Sequence, residues 1–236
     1  MTMPGTSQEA GHSGRRCTFV CIHGIGGARS DWLPVTPALA RLGEVICAEV
    51  PDGALESARD RILADLPNRR GRTVLIGHSR GGVLALMAAA RRPDLVDGLV
   101  LSGGYVPPNR DGRPWVIGIG SWVKHRVRLA NRFIRGGHLT ARQADRPASF
   151  LTSLPAVLQL AGVGLRPSTF DSVARSVRCP VLAISGQRDS HVPASWVGGA
   201  ARRYGWSMVS IPAASHFAHV DNPKRWVAAV EEWLDR

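Results

Sequence analysis

The stretch Thr73-Val74-Leu75-Ile76-Gly77-His78-Ser79-Arg80-Gly81-Gly82, running into Val83-Leu84-Ala85-Leu86-Met87-Ala88-Ala89-Ala90, decides how this chain folds. The four leading residues read as a buried strand, and the Ala- and Leu-rich run reads as a helix. Between them Ser79 has a glycine two residues before it and another two after it, the pattern G-x-S-x-G. On a strand-to-helix turn this pattern forces the serine into a strained backbone conformation. The glycines let the crossing segments approach without Cβ clashes. The serine oxygen then stands at the tip of a sheet, beside a helix N-terminus whose unpaired N–H groups suit an anionic intermediate.

Working outward, short apolar strands are expected at residues 18–22, 45–50, 73–76, 96–101, 179–185 and 207–211. Helical patterns lie between them at 31–42 with Ser30 as cap, 54–66, 83–91, 193–204, and 223–234 with Asn222 as cap. Strands apolar on both faces, joined by helices, predict an α/β fold. It would hold a mostly parallel central sheet of about six strands, with helices on both sides. Residues 105–170 break the alternation. They hold no clear strand but carry Trp122, Val123, Val127, Ala130, Phe133 and Ile134 at helical spacing. A segment this long predicts a small helical cap inserted after the fourth strand. Residues 1–14 are polar and Gly/Ser-rich and read as a disordered lead-in to one domain over 15–236.

No apolar run approaches the roughly 20 residues a membrane helix needs. Arg15-Arg16 before an apolar run resembles an export signal, but His23-Gly24-Ile25-Gly26-Gly27 follows within that run and is needed by the site argued below. The net charge of +12 comes from a chain with 28 arginines and only Lys124 and Lys224, a compositional skew without a nucleic-acid-binding motif. Ten of the basic residues fall in 105–170, against two acids. That face would suit an acidic substrate, a coenzyme A thioester, an acyl-carrier protein or membrane lipid, or else stand as a solvated arginine-rich outer face. Cys17, Cys21, Cys47 and Cys179 have neither metal nor redox spacing and read as buried thiols in a reducing cytoplasm.

A serine hydroxyl needs a base within reach, and the base needs an orienting acid. Asp189 follows the strand at 179–185, and His216 follows the strand at 207–211. The order Ser79, Asp189, His216 places all three beyond carboxyl ends of strands, where open α/β sheets hold ligands. His219 competes with His216 but lies nearer the last helix. His23-Gly24-Ile25-Gly26-Gly27, after the first strand, offers backbone N–H groups. An oxyanion hole would combine the N–H of Arg80 with that of Ile25, or of Gly26 as the alternative. His23 reads as a brace for that loop.

These segments, with Gly186-Gln187-Arg188-Asp189, Val192-Pro193, Ser215-His216-Phe217 and Asn222-Pro223, resemble the α/β-hydrolase superfamily in its small, single-domain branch. The resemblance implies a Ser79–His216–Asp189 triad acting on a carboxylic ester or thioester, with no metal or organic cofactor. Gly24, Gly26, Arg80 and Trp122 would line the substrate site. Arg80 departs from the family, which often has a small or apolar side chain there. Its guanidinium would either meet a substrate carboxylate or phosphate, or point away into solvent or onto a neighbouring acid. The same fold also hosts lyases and cyclases in which the histidine acts as base without an acyl-enzyme, and non-catalytic binding modules.

Overall fold

The computed structural model describes residues 17–25, 27–50, 54–66, 71–104, 106 and 167–236. The expected lead-in, most of the expected cap with Trp122, and Gly26 lie outside them. The described elements run β1 (Cys17–Ile22), a 3-10 helix (Arg29–Trp32), α1 (Thr36–Leu39), β2 (Gly43–Ala48) and α2 (Leu55–Ala64). Then follow β3 (Arg72–His78), α3 (Arg80–Arg91), β4 (Gly98–Ser102), α4 (Pro167–Ser176) and β5 (Val181–Gly186). The chain closes with α5 (Ala194–Tyr204), β6 (Ser207–Ile211), α6 (Ala218–Asp221) and α7 (Pro223–Leu234).

The six strands form one sheet in the order β2-β1-β3-β4-β5-β6. Every neighbouring pair is parallel. Alternate strand residues feed two separate cores, as a period of two demands. Val20, Ile22, Leu75, Leu99, Leu101 and Ala183 pack with α2 to α5. Phe19, Cys21, Val74, Ile76, Val100 and Ile184 pack with Trp32, Leu39 and the apolar face of α7. The chain order reverses at β1, which pairs with β2 on one side and β3 on the other. The crevice beyond the carboxyl ends of β1 and β3 is therefore a topological switch point.

One continuous helix was expected over residues 31–42, and the structure corrects this. Pro34 and Pro37 have no N–H to donate, so the chain makes short Leu33-to-Ser30 and Val35-to-Trp32 bonds and restarts as α1. Ser30 lies inside the 3-10 helix, and the capping acceptor is Asp31, whose Oδ2 receives the Ala28 N–H at 3.2 Å. Asn222 does cap α7, accepting the Arg225 N–H. Helix α4 was not anticipated.

All four cysteines are free thiols, but only Cys21 is buried. Cys21 stands in register with Cys47 on the neighbouring strand. Among the described residues no helix is long and apolar enough to cross a membrane.

Candidate active site

Strand β3 ends at His78 and α3 begins at Arg80, so Ser79 alone makes the turn, at φ 52° and ψ −119°. Positive φ is unfavourable for a residue with a Cβ and costs about 1–3 kcal/mol. The turn is this tight because the flanking glycines touch: a Cβ on Gly77 would lie 2.3 Å from the Gly81 carbonyl oxygen. A Cβ on Gly81 would lie 2.2 Å from the Ile22 oxygen. The Ser79 N–H is held by the Ser102 carbonyl at 3.2 Å. Ser79 is half-buried between buried His78 and buried Arg80.

The loop after β1 passes directly over this turn. A Cβ on Gly24 would meet Ser79 Cβ at 3.2 Å and His78 Nδ1 at 3.0 Å. His23 braces the loop: its Nδ1–H donates to the Gly24 oxygen at 2.9 Å, and its Nε2 accepts the Val50 N–H at 3.3 Å. A carbonyl only accepts and an amide only donates, so this pattern fixes a neutral imidazole with its proton on Nδ1. Ile25 sits in the turn closed by the Gly27 N–H to the Gly24 oxygen at 3.0 Å.

Asp189 and His216 come together from the loops after β5 and β6. His216 Nδ1–H donates to Asp189 Oδ2 at 2.9 Å. The second carboxylate oxygen, Oδ1, accepts the backbone N–H of His191 at 2.8 Å and of Val192 at 2.9 Å. Burial pushes the Asp189 carboxyl up, but the His216 bond and charge and the two amides outweigh it and hold it below the ordinary carboxylate range. With its proton on Nδ1, a neutral His216 leaves Nε2 as an acceptor.

Several bonds fix the histidine loop. The Ser215 N–H and hydroxyl both reach Asp221. The Arg188 N–H donates to the Ala214 oxygen at 2.8 Å, tying the acid loop to it. His78 Nε2–H donates to the His216 carbonyl at 3.2 Å. Gly103 follows the residue that holds the Ser79 amide, and a Cβ there would lie 3.2 Å from His216 Nδ1. Both His78, next to Ser79, and Gly103, next to the residue that holds the Ser79 amide, therefore lie against His216.

His219 is fully buried, stacked 4.5 Å from Trp32 and 4.9 Å from the His78 ring, so its place is in the core under the turn. Arg80 is 7% exposed, so its side chain does not extend into solvent. One residue at the site had no sequence signal beyond its closeness to Asp189. His191 puts its ring 4.9 Å from that of His216. Burial and the charge of His216 push its pKa down, against a smaller pull up from Asp189.

Comparison with known proteins follows the same outline. The chain is 24% identical to the 2-succinyl-6-hydroxy-2,4-cyclohexadiene-1-carboxylate synthase of Pectobacterium atrosepticum, over 92% of this chain and 93% of that protein. It is 26% identical to the 2-(acetamidomethylene)succinate hydrolase of Mesorhizobium japonicum, over 70% of this chain and 65% of that one. The meta-cleavage product hydrolase of Pseudomonas fluorescens shares the fold with a TM-score of 0.66 at 18% identity, covering 94% of this chain and 92% of that one. A family model matches residues 19–230, nearly the whole described sheet with its strand-end loops, and the chain belongs to the alpha/beta hydrolase family.

Proposed function

We propose that the protein hydrolyses a carboxylic ester or thioester through an acyl-enzyme on Ser79. The observation that carries this reading is the 2.9 Å bond from His216 to Asp189, together with a serine held at φ 52° on the strand-to-helix turn. His216 Nε2 takes the Ser79 proton as Oγ attacks the acyl carbon, and Asp189 stabilises the imidazolium that forms. The N–H groups of Ile25 and Arg80, with Gly26 as the alternative to Ile25, receive the oxyanion. One such donor contributes on the order of 10²- to 10³-fold in rate. The leaving group takes its proton from His216, and a water activated by the same imidazole then releases the acid. Ser79, His216 and Asp189 carry the chemistry, and neither a metal nor an organic cofactor enters it.

Arg80 is the residue we assign to substrate recognition. It is buried, adjoins the nucleophile, and carries a fixed charge suited to a carboxylate. The names of both relatives contain an acid, a carboxylate in one and a succinate in the other. Gly24, Gly26 and Trp122 complete the proposed lining. The basic residues of 105–170 would favour an acyl-carrier protein or coenzyme A thioester, and added salt should then raise KM. The free thiols fit a cytoplasmic setting.

A panel of p-nitrophenyl esters and acyl thioesters, run on wild type and Ser79→Ala, tests the reading. Turnover by wild type, an inert variant, and a mass shift on the Ser79 peptide are expected. Full activity of Ser79→Ala would sink it. One observation favours a second reading, a lyase or cyclase with His216 as base: the relative spanning 92% of the chain is a synthase. In that case turnover would leave no acyl group on Ser79.

A further inference from the structure

Acyl transfer uses two members of a three-residue cluster. Asp189, His191 and His216 each present one potential ligand atom, all within 4.8 Å of one another. Asp189 Oδ2 lies 2.9 Å from His216 Nδ1, and Asp189 Oδ1 lies 3.9 Å from His191 Nδ1. The two rings face each other at an interplanar angle of 36°. Two imidazoles and a carboxylate are a donor set suited to zinc, with a water in the fourth position.

We propose that Asp189, His191 and His216 bind one zinc ion, and that bound zinc switches off the His216 base. Ligand atoms on a tetrahedral zinc stand about 3.4 Å apart, given bonds of about 2.0–2.2 Å. The aspartate–His216 pair is already inside that separation. The widest gap closes by roughly 1.4 Å on the same geometry. His191 lies on the bend between β5 and α5, and turning its side chain brings it in.

The consequence follows from the tautomer. Zinc takes the Nδ1 lone pair of His216, which the Nδ1 proton now occupies. That proton leaves to solvent, and Nε2 takes one up, with no net change. A neutral imidazole metallated at Nδ1 carries its proton on Nε2, where it would otherwise accept from Ser79. Only dative bonds form, and no oxidation occurs. Inhibition would therefore respond to a chelator rather than to substrate concentration. The binding site stands on geometry alone, whereas its inhibitory effect rests on the acyl-transfer reading.

Two readouts test this on the full chain after chelator treatment. Calorimetric titration with zinc chloride should find a site whose affinity falls about 100-fold in His191→Ala, His191→Phe and Asp189→Asn. His191→Phe keeps a ring against His216 without a nitrogen. Metal-free thermal unfolding of each variant shows whether it is folded. Cobalt(II) chloride should give the visible absorption of a four-coordinate ion in wild type and lose it in His191→Phe. Absence of zinc binding, or binding unchanged in a folded His191→Phe, overturns the site. In the second arm, ester turnover by wild type should stop with zinc and return with chelator, while His191→Phe keeps its own metal-free rate. Zinc bound at these residues with turnover unaffected overturns the switch. Zinc bound with no ester turnover by metal-free protein counts against the acyl-transfer reading and leaves the site standing.

Discussion

His78 Nε2 donates to the carbonyl oxygen of His216, 3.2 Å away and 138 residues later in the chain. The residue before the turn serine thus holds the backbone of the residue bonded to Asp189. Both side chains are buried, and their rings lie 4.9 Å apart. This bond ties the loop that carries His216 to the turn at Ser79.

Replacing His78 by Ala removes that tie. A displacement near 1 Å at a reacting pair costs on the order of 10²-fold in rate. His78→Ala should therefore lower kcat by about 10- to 100-fold with KM little changed. His78→Gln, which retains an N–H donor, should recover part of the loss. Equal kcat in wild type and His78→Ala would show that the bond positions nothing.

Asp189→Asn should lower kcat by about 10⁴-fold, because an amide no longer selects the Nδ1 proton on His216. The same variant reports on stability. Asp189 titrates below its ordinary value of about 3.9, so the folded state binds fewer protons there than the unfolded state. Its stabilising contribution is complete above that ordinary value and is lost as pH falls through the lower folded value. Urea unfolding should show wild type losing stability across this acid window more steeply than Asp189→Asn.

Thiol chemistry should single out Cys47. Its pKa is lowered to about 7, mainly by the hydrogen bond from Cys21, with burial opposing and Thr36 and Arg29 assisting. Burial pushes Cys17 and Cys179 up to about 11. Iodoacetamide labelling followed by peptide mass mapping should show Cys47 reacting first, with a rate that rises through about pH 7. Cys21→Ala, which removes the donor, should slow that step, and Cys47→Ser should abolish it. Equal labelling of Cys17 and Cys47 at neutral pH would contradict the assignment.

Two glycine substitutions should separate folding from activity. In Gly81→Ala the new methyl meets the Ile22 carbonyl at 2.2 Å, a backbone atom that cannot turn aside. A clash of this kind costs about 1–3 kcal/mol or more, and the midpoint of thermal unfolding should fall clearly. In Gly24→Ala the contacts are 3.0 Å to His78 Nδ1 and 3.2 Å to Ser79 Cβ. Shifts of a few tenths of an ångström relieve them, so kcat should suffer more than stability.

Much of this architecture could be read locally. Thr73 to Gly82 carries strand, turn and helix in ten residues, and each piece obeys its own short-range rule. Asp189 and His216 were legible because each directly follows an apolar strand. The 31–42 region misled because its apolar spacing outweighed Pro34 and Pro37, whose missing N–H groups break the helix. Cys21 opposite Cys47, and His191 beside His216, depend on register and on loops meeting across the sheet. No short-range pattern encodes such meetings. The burial of Arg80 is of the same kind, since it depends on what covers the turn.

Helix α7 contains none of the site residues, yet Trp226 on it donates to Ser102 Oγ at 3.0 Å. Ser102 is also the residue whose carbonyl holds the Ser79 amide. During synthesis, Ser79, Asp189 and His216 all leave the ribosome before Trp226 does. A chain that stopped at Asn222 would hold these three residues and lack the indole that braces the strand end beside Ser79. The support beneath the Ser79 turn is therefore completed late, when Trp226 docks on Ser102.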